Sequence, residues 1–183
     1  MISMKVGVVR ESVEFPFLTG ILPHYKSLNE NLLKESEELQ WLVAGEHRNS
    51  DGGSSNVKAL RTPNDISSPH IKRVENLIEE LISVYLEGGF RGFKVSESWM
   101  NNYKKGDFAC SHTHTGFGYS YVYFIKTPEG SSPLVFTSSG KKIKAEEGKI
   151  VIFPCDLYHD VPKNKCDGRI TMAGNINHPM SPQ

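Results

Sequence analysis

Phe108-Ala-Cys-Ser-His-Thr-His-Thr-Gly-Phe-Gly-Tyr-Ser-Tyr-Val-Tyr-Phe-Ile-Lys126 is the stretch on which the reading of this chain turns. Two runs of β-type residues, near 108–113 and 118–126, flank a turn at Thr115 to Gly118. His112 and His114 close the first run, and the period of two in a strand sends both imidazoles to the same side. Working outward, the same texture of short Val-, Ile-, Tyr-, Phe- and Thr-rich runs recurs every ~8–12 residues. It predicts further strands near 92–103, 133–137, 141–145, 149–153, 157–162 and 168–176. Eight such strands make a mainly β fold, a barrel or sandwich of jelly-roll type.

Towards the N-terminus the pattern changes from period two to helical spacing. Ser27-x-x-Glu30 reads as a capping box, and Leu28, Leu32, Leu33, Leu39 and Leu42 predict a helix over about 28–43. A second helix begins at Ser68 and Pro69, carries Ile71, Val74, Leu77, Ile78, Leu81, Ile82 and Tyr85 on one face, and stops at Gly88-Gly89. Its apolar stripe needs a surface, and the sheet supplies one. Between the helices, Glu46 to Asn56 has no periodicity and two adjacent glycines, so it reads as a surface loop. The expected organisation is one domain over 1–183, with residues 1–90 as helical support and loops and residues 91–178 as the β core.

Composition narrows the function classes. The chain has 38% hydrophobic, 10% aromatic and 23% charged residues, ordinary values for a globular protein. Twenty-one basic against twenty-one acidic side chains leave a formal charge of zero, so no global field gathers nucleic acid or anionic lipid. No apolar run approaches the ~20 residues of a membrane span, and no signal-peptide core is visible, which gives a cytoplasmic expectation. Cys110, Cys155 and Cys166 are an odd number without C-x-x-C spacing and suggest neither a disulfide framework nor a zinc site.

Of the seven histidines, His24, His47, His70 and His178 fall in expected loops or at helix ends and read as solvated. His159 instead follows the hydrophobic run Lys149-Ile-Val-Ile-Phe-Pro154, on a strand that a closed sheet can bring beside His112 and His114. Three imidazoles with vacant positions suit a catalytic site for Fe(II), Cu, Zn or Ni. Read alone, H-x-H is also compatible with a chance pair on a polar strand face.

Two family resemblances bear on the choice. Gly106-x5-His112-x-His114 with Gly148-x5-Pro154-x-Asp156-x-x-His159 is similar to the paired motifs of cupins, although no Glu follows the H-x-H and Asp156 replaces a usual Gly. A longer pattern, Trp99-Met-Asn-Asn-Tyr103-x-x-Gly106-Asp-Phe, His112-x-His114, Tyr121-Val-Tyr-Phe-Ile125, Gly148-x-Ile-Val-Ile-Phe-Pro154, His159-x-Val161 and Arg169-x-Thr171, resembles the prolyl-hydroxylase-like Fe(II)/2-oxoglutarate-dependent oxygenases. It matches in particular their small bacterial and phage-type group. This resemblance covers roughly Trp99 to Asn177 and implies a double-stranded β-helix.

The oxygenase resemblance assigns roles residue by residue. His112 and His159 stand at the iron-binding histidines, and His114 stands where the wider family has Asp or Glu. Arg169, ten residues after His159, stands at the arginine that pairs with the far carboxylate of 2-oxoglutarate. Tyr103 and Thr171 stand where cosubstrate-binding hydroxyls are expected, whereas Phe124 occupies a position at which prolyl hydroxylases carry another tyrosine. Without the resemblance, Arg169 reads as a surface ion pair and Tyr103 as a core aromatic. Asn101 and Asn175 point to the same region by period-two counting.

The implied activity is Fe(II)-, 2-oxoglutarate- and O2-dependent hydroxylation of a small molecule or a protein or peptide side chain. The implied lids are the Glu46 to Asn56 loop and the Thr115 to Gly118 turn. The alternatives are a cupin-type three-histidine dioxygenase or isomerase without 2-oxoglutarate, and a non-enzymatic β-sandwich with incidental histidines. Replacement of Arg169 separates the first two; metal binding separates the third.

Overall fold

Apolar side chains on opposite sides of single strands decide the layering. In the structure, a computed structural model describing residues 17–46, 55–86 and 92–177, eleven strands and two α-helices are found. In chain order they are β1 (Leu18–Ile21), α1 (Tyr25–Ser36), β2 (Val57–Lys58), β3 (Leu60–Arg61) and α2 (Pro69–Leu81). Then follow β4 (Lys94–Tyr103), β5 (Phe108–His112), β6 (Tyr119–Lys126), β7 (Leu134–Phe136), β8 (Lys141–Ile143), β9 (Lys149–Pro154), β10 (His159–Val161) and β11 (Arg169–Asn177). They form two antiparallel sheets, a six-stranded one in the order β1-β9-β6-β11-β4-β3 and a five-stranded one in the order β2-β5-β10-β7-β8. The order crosses over repeatedly between distant strands, which makes the fold a double-stranded β-helix, the jelly roll expected from the sequence.

Strand β9 shows how alternation builds the layers. Val151 and Phe153 face the smaller sheet and pack with Phe124, Leu134, Phe136 and Ile143. Ile150 and Ile152 face outward, where they meet the helices through Leu28, Leu32, Ile71, Val74, Ile78 and Ile82. At β9 the large sheet is thus apolar on both faces, and the helices bury its outer one. Buried polar groups tie the layers together: Asn29 of α1 donates to the Ile125 carbonyl at 2.7 Å and accepts from the Tyr123 hydroxyl at 2.6 Å.

All eight strands expected after residue 91 are present, within a residue or two at most ends. Helix α2 starts as expected, its Ser68 Oγ accepting from the Ile71 N–H at 3.2 Å with Pro69 next. It continues into one π-helical turn over Ile82–Leu86, and the expected stop at Gly88-Gly89 lies outside the described residues.

Helix α1 differs from the expectation over 28–43. It runs from Tyr25 to Ser36, with His24 before it in the left-handed region at φ 56°, so Ser27 lies inside the helix and forms no capping box. Two interactions explain the early end. Ser36 Oγ donates back to the Leu33 carbonyl, and the Trp41 indole donates to the Ser36 carbonyl at 2.9 Å, folding the chain off the helix axis. Strands β1, β2 and β3 were not expected, and they add edges to both sheets from the half of the chain read as helices and loops.

Close approach of strands sets one stability prediction. A Cβ on Gly174 in β11 would overlap the Glu97 carbonyl oxygen and the Tyr121 ring, both far inside van der Waals contact. Gly174→Ala is therefore expected to destabilise the fold by about 2–3 kcal/mol through overpacking, measurable by urea denaturation. An unchanged midpoint would contradict this packing.

Candidate active site

The register of the two sheets brings the expected site residues together. In the small sheet, His159 of β10 is the direct partner of His112 on β5. His114 lies two residues past His112, and its N–H bonds the Cys155 carbonyl at 2.9 Å, which holds the chain after the strand against the loop after β9. One ligand nitrogen from each of His112, His114 and His159 lies within 4.8 Å of the others, the only such group of three among the described residues. His24 and His70 lie elsewhere, His70 Nδ1 against Glu35 Oε1 at 2.6 Å. His47 and His178 lie outside the described residues.

Hydrogen bonds fix which nitrogen is available. His112 Nδ1 lies 2.7 Å from the Cys110 carbonyl, and His159 Nδ1 lies 2.8 Å from the Leu157 carbonyl. A carbonyl only accepts, so each Nδ1 carries the proton and each Nε2 presents a lone pair. Backing a ligating imidazole in this way fixes its orientation and raises its basicity. Burial pushes the His112 imidazole below its ordinary value; burial with the neighbouring His112 and His159 pushes His114 down to about 2. Burial and His112 push His159 down to about 3. The trio is therefore neutral at physiological pH, as metal ligation requires.

The same burial makes metal-free stability depend on pH. His114 and His159 stay neutral when folded and take up protons near pH 6.5 when unfolded, so the unfolded chain binds more protons as pH falls. Stability is then lost progressively from about pH 6.5 downward. Between pH 7 and pH 5 the expected loss is about 2 kcal/mol for each of His114 and His159, and His114→Gln should remove its share. Equal urea midpoints for the metal-free protein at the two pH values would contradict it.

The large sheet faces the histidines with a ladder of inward side chains. Tyr103 of β4 is the register partner of Arg169 on β11, Asn101 of Thr171, Trp99 of Ala173 and Glu97 of Asn175. Arg169 is 1% exposed, so it is not the surface ion pair that a reading of the residue alone allowed. Its Nε donates to the Ser132 carbonyl at 3.0 Å, and its guanidinium lies 4.6 Å over the Tyr103 ring and 5.3 Å from that of Phe124. Nη1 has no partner among the described residues. Burial lowers the Arg169 pKa and raises that of Tyr103.

Arg169, Tyr103, Thr171 and Asn101 line a narrow inner cavity of about 40 Å³ that ends at the three histidines. A wider cavity of about 140 Å³ also reaches His112 and His114 and is lined by Arg61, Glu97, Asn175 and Thr115 among others. Trp99, His112 and His114 belong to both. Of the two expected lids, Thr115 and Phe117 from one and Ser55 and Asn56 from the other line the wider cavity, while residues 47–54 lie outside the described set. Asp107, Asp156 and Asp160 add no carboxylate to the histidine group.

Two elements of the site were not anticipated. Ser132 contributes a backbone carbonyl, which carries no side-chain signal. Arg61 sits in the two-residue strand β3, yet it is 3% exposed and stacks 4.4 Å over the Trp99 ring.

No family model matches the sequence, and no curated protein matches it. Solved structures do. The viral collagen prolyl hydroxylase of Paramecium bursaria Chlorella virus-1, in its 2-oxoglutarate complex, is 15% identical with a TM-score of 0.61, over 88% of this chain and 94% of that one. A Pseudomonas putida prolyl-4-hydroxylase is 18% identical with a TM-score of 0.63, over 88% and 92%. A Trichoplax adhaerens prolyl hydroxylase, solved with a hypoxia-inducible-factor peptide fragment, is 12% identical with a TM-score of 0.65, over 89% and 83%. Across nearly its whole described length, the chain has the double-stranded β-helix fold of the prolyl hydroxylases and other 2-oxoglutarate-Fe(II) oxygenases of known structure.

Proposed function

We propose that this protein is an Fe(II)- and 2-oxoglutarate-dependent dioxygenase that hydroxylates a small molecule or a protein or peptide side chain. The observation that carries the reading is Arg169, a wholly buried cation with an unpartnered Nη1 that shares its cavity with three inward imidazoles. A buried charge left uncompensated is costly, and a carboxylate entering that cavity removes the cost through charge-assisted hydrogen bonds. Neither the cupin-type alternative nor a sandwich with incidental histidines gives this arginine a task.

The residues present fit both groups. His112, His114 and His159 would hold the iron through neutral imidazoles, three ligands leaving positions open for cosubstrate and O2. Arg169 would take the far carboxylate, with its Nε held by Ser132 so that Nη1 is directed before the ligand arrives. Tyr103 covers the guanidinium face, and its hydroxyl and that of Thr171 line the same cavity as candidate donors. Phe124 contributes apolar wall in place of a tyrosine hydroxyl. When bound, metal and cosubstrate supply the oxidation: O2 is consumed, 2-oxoglutarate loses CO2 to become succinate, and a substrate C–H becomes C–OH.

The protein's part is to orient and to keep water out. Apolar side chains from both sheets, Phe153 and Val161 among them, wall the histidines. Three imidazoles, without the usual carboxylate, leave the site one unit more positive, which favours a dianionic cosubstrate.

Succinate formation tests the reading. With Fe(II), O2 and labelled 2-oxoglutarate, the protein is expected to release CO2 and succinate in equal amounts, slowly without substrate and only when metal is present. Metal binding with no succinate would instead favour the cupin-type alternative.

A further inference from the structure

We propose that the wider cavity binds the carboxylate of the primary substrate and that Arg61 is the residue that recognises it. The inference rests on the oxygenase reading and names a substrate class for it, a small carboxylic acid bearing one negative charge.

The chain goes to some length to place this cation. The Arg61 backbone is clamped to Leu42 by two hydrogen bonds, its N–H to the Leu42 carbonyl at 3.0 Å and the Leu42 N–H to its carbonyl at 2.9 Å. Register with Asn101 then directs the side chain onto the inner face of the large sheet. There the guanidinium carbon sits over the Trp99 ring, 4.4 Å from its centre, and that ring in turn lies 5.9 Å from that of His114 at an angle of 31°. Stacking covers a guanidinium face and leaves its N–H groups free in the plane, the direction in which carboxylates bind.

Those donors are largely unused. Nη2 donates to Asn64 Oδ1, whereas Nε and Nη1 have no partner among the described residues. The Trp99 indole N–H is also buried and has no partner among the described residues. The side chain remains a cation at neutral pH, since burial brings it only to about 10. Unmet donors on two side chains that line one cavity are what an anion would satisfy.

Glu97 sets the charge of that anion. It lines the same cavity and accepts from Asn64 Nδ2 at 2.7 Å and from Asn175 Nδ2. Glu97 already offsets part of the Arg61 charge, so the repulsion it adds is smaller for a carboxylate monoanion than for a phosphate dianion. The site is separate from the one at Arg169, because Arg61 lines only the wider cavity and Arg169 only the inner one. Both cavities reach Trp99, His112 and His114. An acid held on Arg61 would thus lie in a cavity that meets two of the three histidines, His112 and His114.

The test is NMR of the Arg61 Nε–H and Trp99 indole N–H in the Zn(II)-loaded protein, with and without 2-oxoglutarate. The probes are small monocarboxylic acids and L-α-amino acids, each compared with its primary amide, and inorganic phosphate. At least one acid is expected to shift both signals saturably, with its amide binding about 10- to 100-fold more weakly, the worth of a charged hydrogen bond. R61M should lose that preference, whereas R169M should keep it while losing 2-oxoglutarate. Failure of 2-oxoglutarate to bind wild type, with the acid response intact, removes the oxygenase reading and leaves the anion site standing. The proposal is overturned if no acid shifts the two signals, if acid and amide bind alike, if phosphate binds in preference to every acid, or if folded R61M binds the acid as wild type does. The acid-to-amide comparison needs no variant.

Discussion

Arg169→Met is expected to weaken 2-oxoglutarate binding by roughly 200- to 5,000-fold while leaving the ligand-free protein as stable as wild type or slightly more so. The first part follows from removing one partner of a buried, hydrogen-bonded charge pair, an effect of about 3–5 kcal/mol. The second follows from the state of Arg169 without a ligand, in which burial is unrelieved at Nη1 and the hydrogen bond to Ser132 offsets only part of it. Methionine fills similar space with no charge to desolvate. The two effects have opposite signs, so they separate a binding role from a structural one. Anaerobic calorimetry of 2-oxoglutarate binding and a thermal melt of the apo protein read them. Weaker binding accompanied by a drop in melting temperature of many degrees would mean that Arg169 holds the barrel together instead.

His159→Ala is expected to abolish stoichiometric metal binding. His159 is the member supplied by a separate strand, paired in register with His112, with its ring 4.3 Å from that of His112 and 5.2 Å from that of His114. Losing a hydrogen bond behind a metal ligand already weakens affinity by roughly 10- to 100-fold, and losing the ligand itself should exceed that. His114→Asp has a different expected outcome. It restores a carboxylate at the position where the wider oxygenase group carries one, so metal should stay bound. Site charge falls by one unit, and affinity for dianionic 2-oxoglutarate should fall with it. Metal analysis after gel filtration, on untagged protein, reads both variants. Full occupancy in His159→Ala would sink the three-histidine assignment.

Much of this site could be read from the chain because its signals are local and periodic. His112 and His114 share a side by strand period, and the hydrophobic run before His159 announces a buried strand; register then makes His159 the partner of His112. Arg169 came in only through the oxygenase resemblance, which expects an arginine about ten residues after the distal histidine; alone it reads as a surface ion pair. Period-two counting also placed Asn101 and Asn175 on the inner face, and both line a cavity there.

What escaped has physical reasons. Strands β1, β2 and β3 have two to four residues each, too short for an alternation to show. Helix α1 ends where Ser36 and Trp41 turn the chain, a contact that leucine spacing does not encode. Arg61 escaped because its importance lies in burial and in contact with Trp99, a residue 38 positions later, brought near by the pairing of β3 with β4.

The central claim is that one cavity holds both a three-histidine metal site and an arginine for 2-oxoglutarate. Anaerobic addition of one equivalent of Fe(II) and then 2-oxoglutarate tests it most directly. A weak visible absorption band near about 500 nm should appear, the signature of a keto acid chelating ferrous iron, and saturate at one equivalent. The band should be absent in His159→Ala and should require far more 2-oxoglutarate in Arg169→Met. Bound iron with no band at any 2-oxoglutarate concentration would contradict the account.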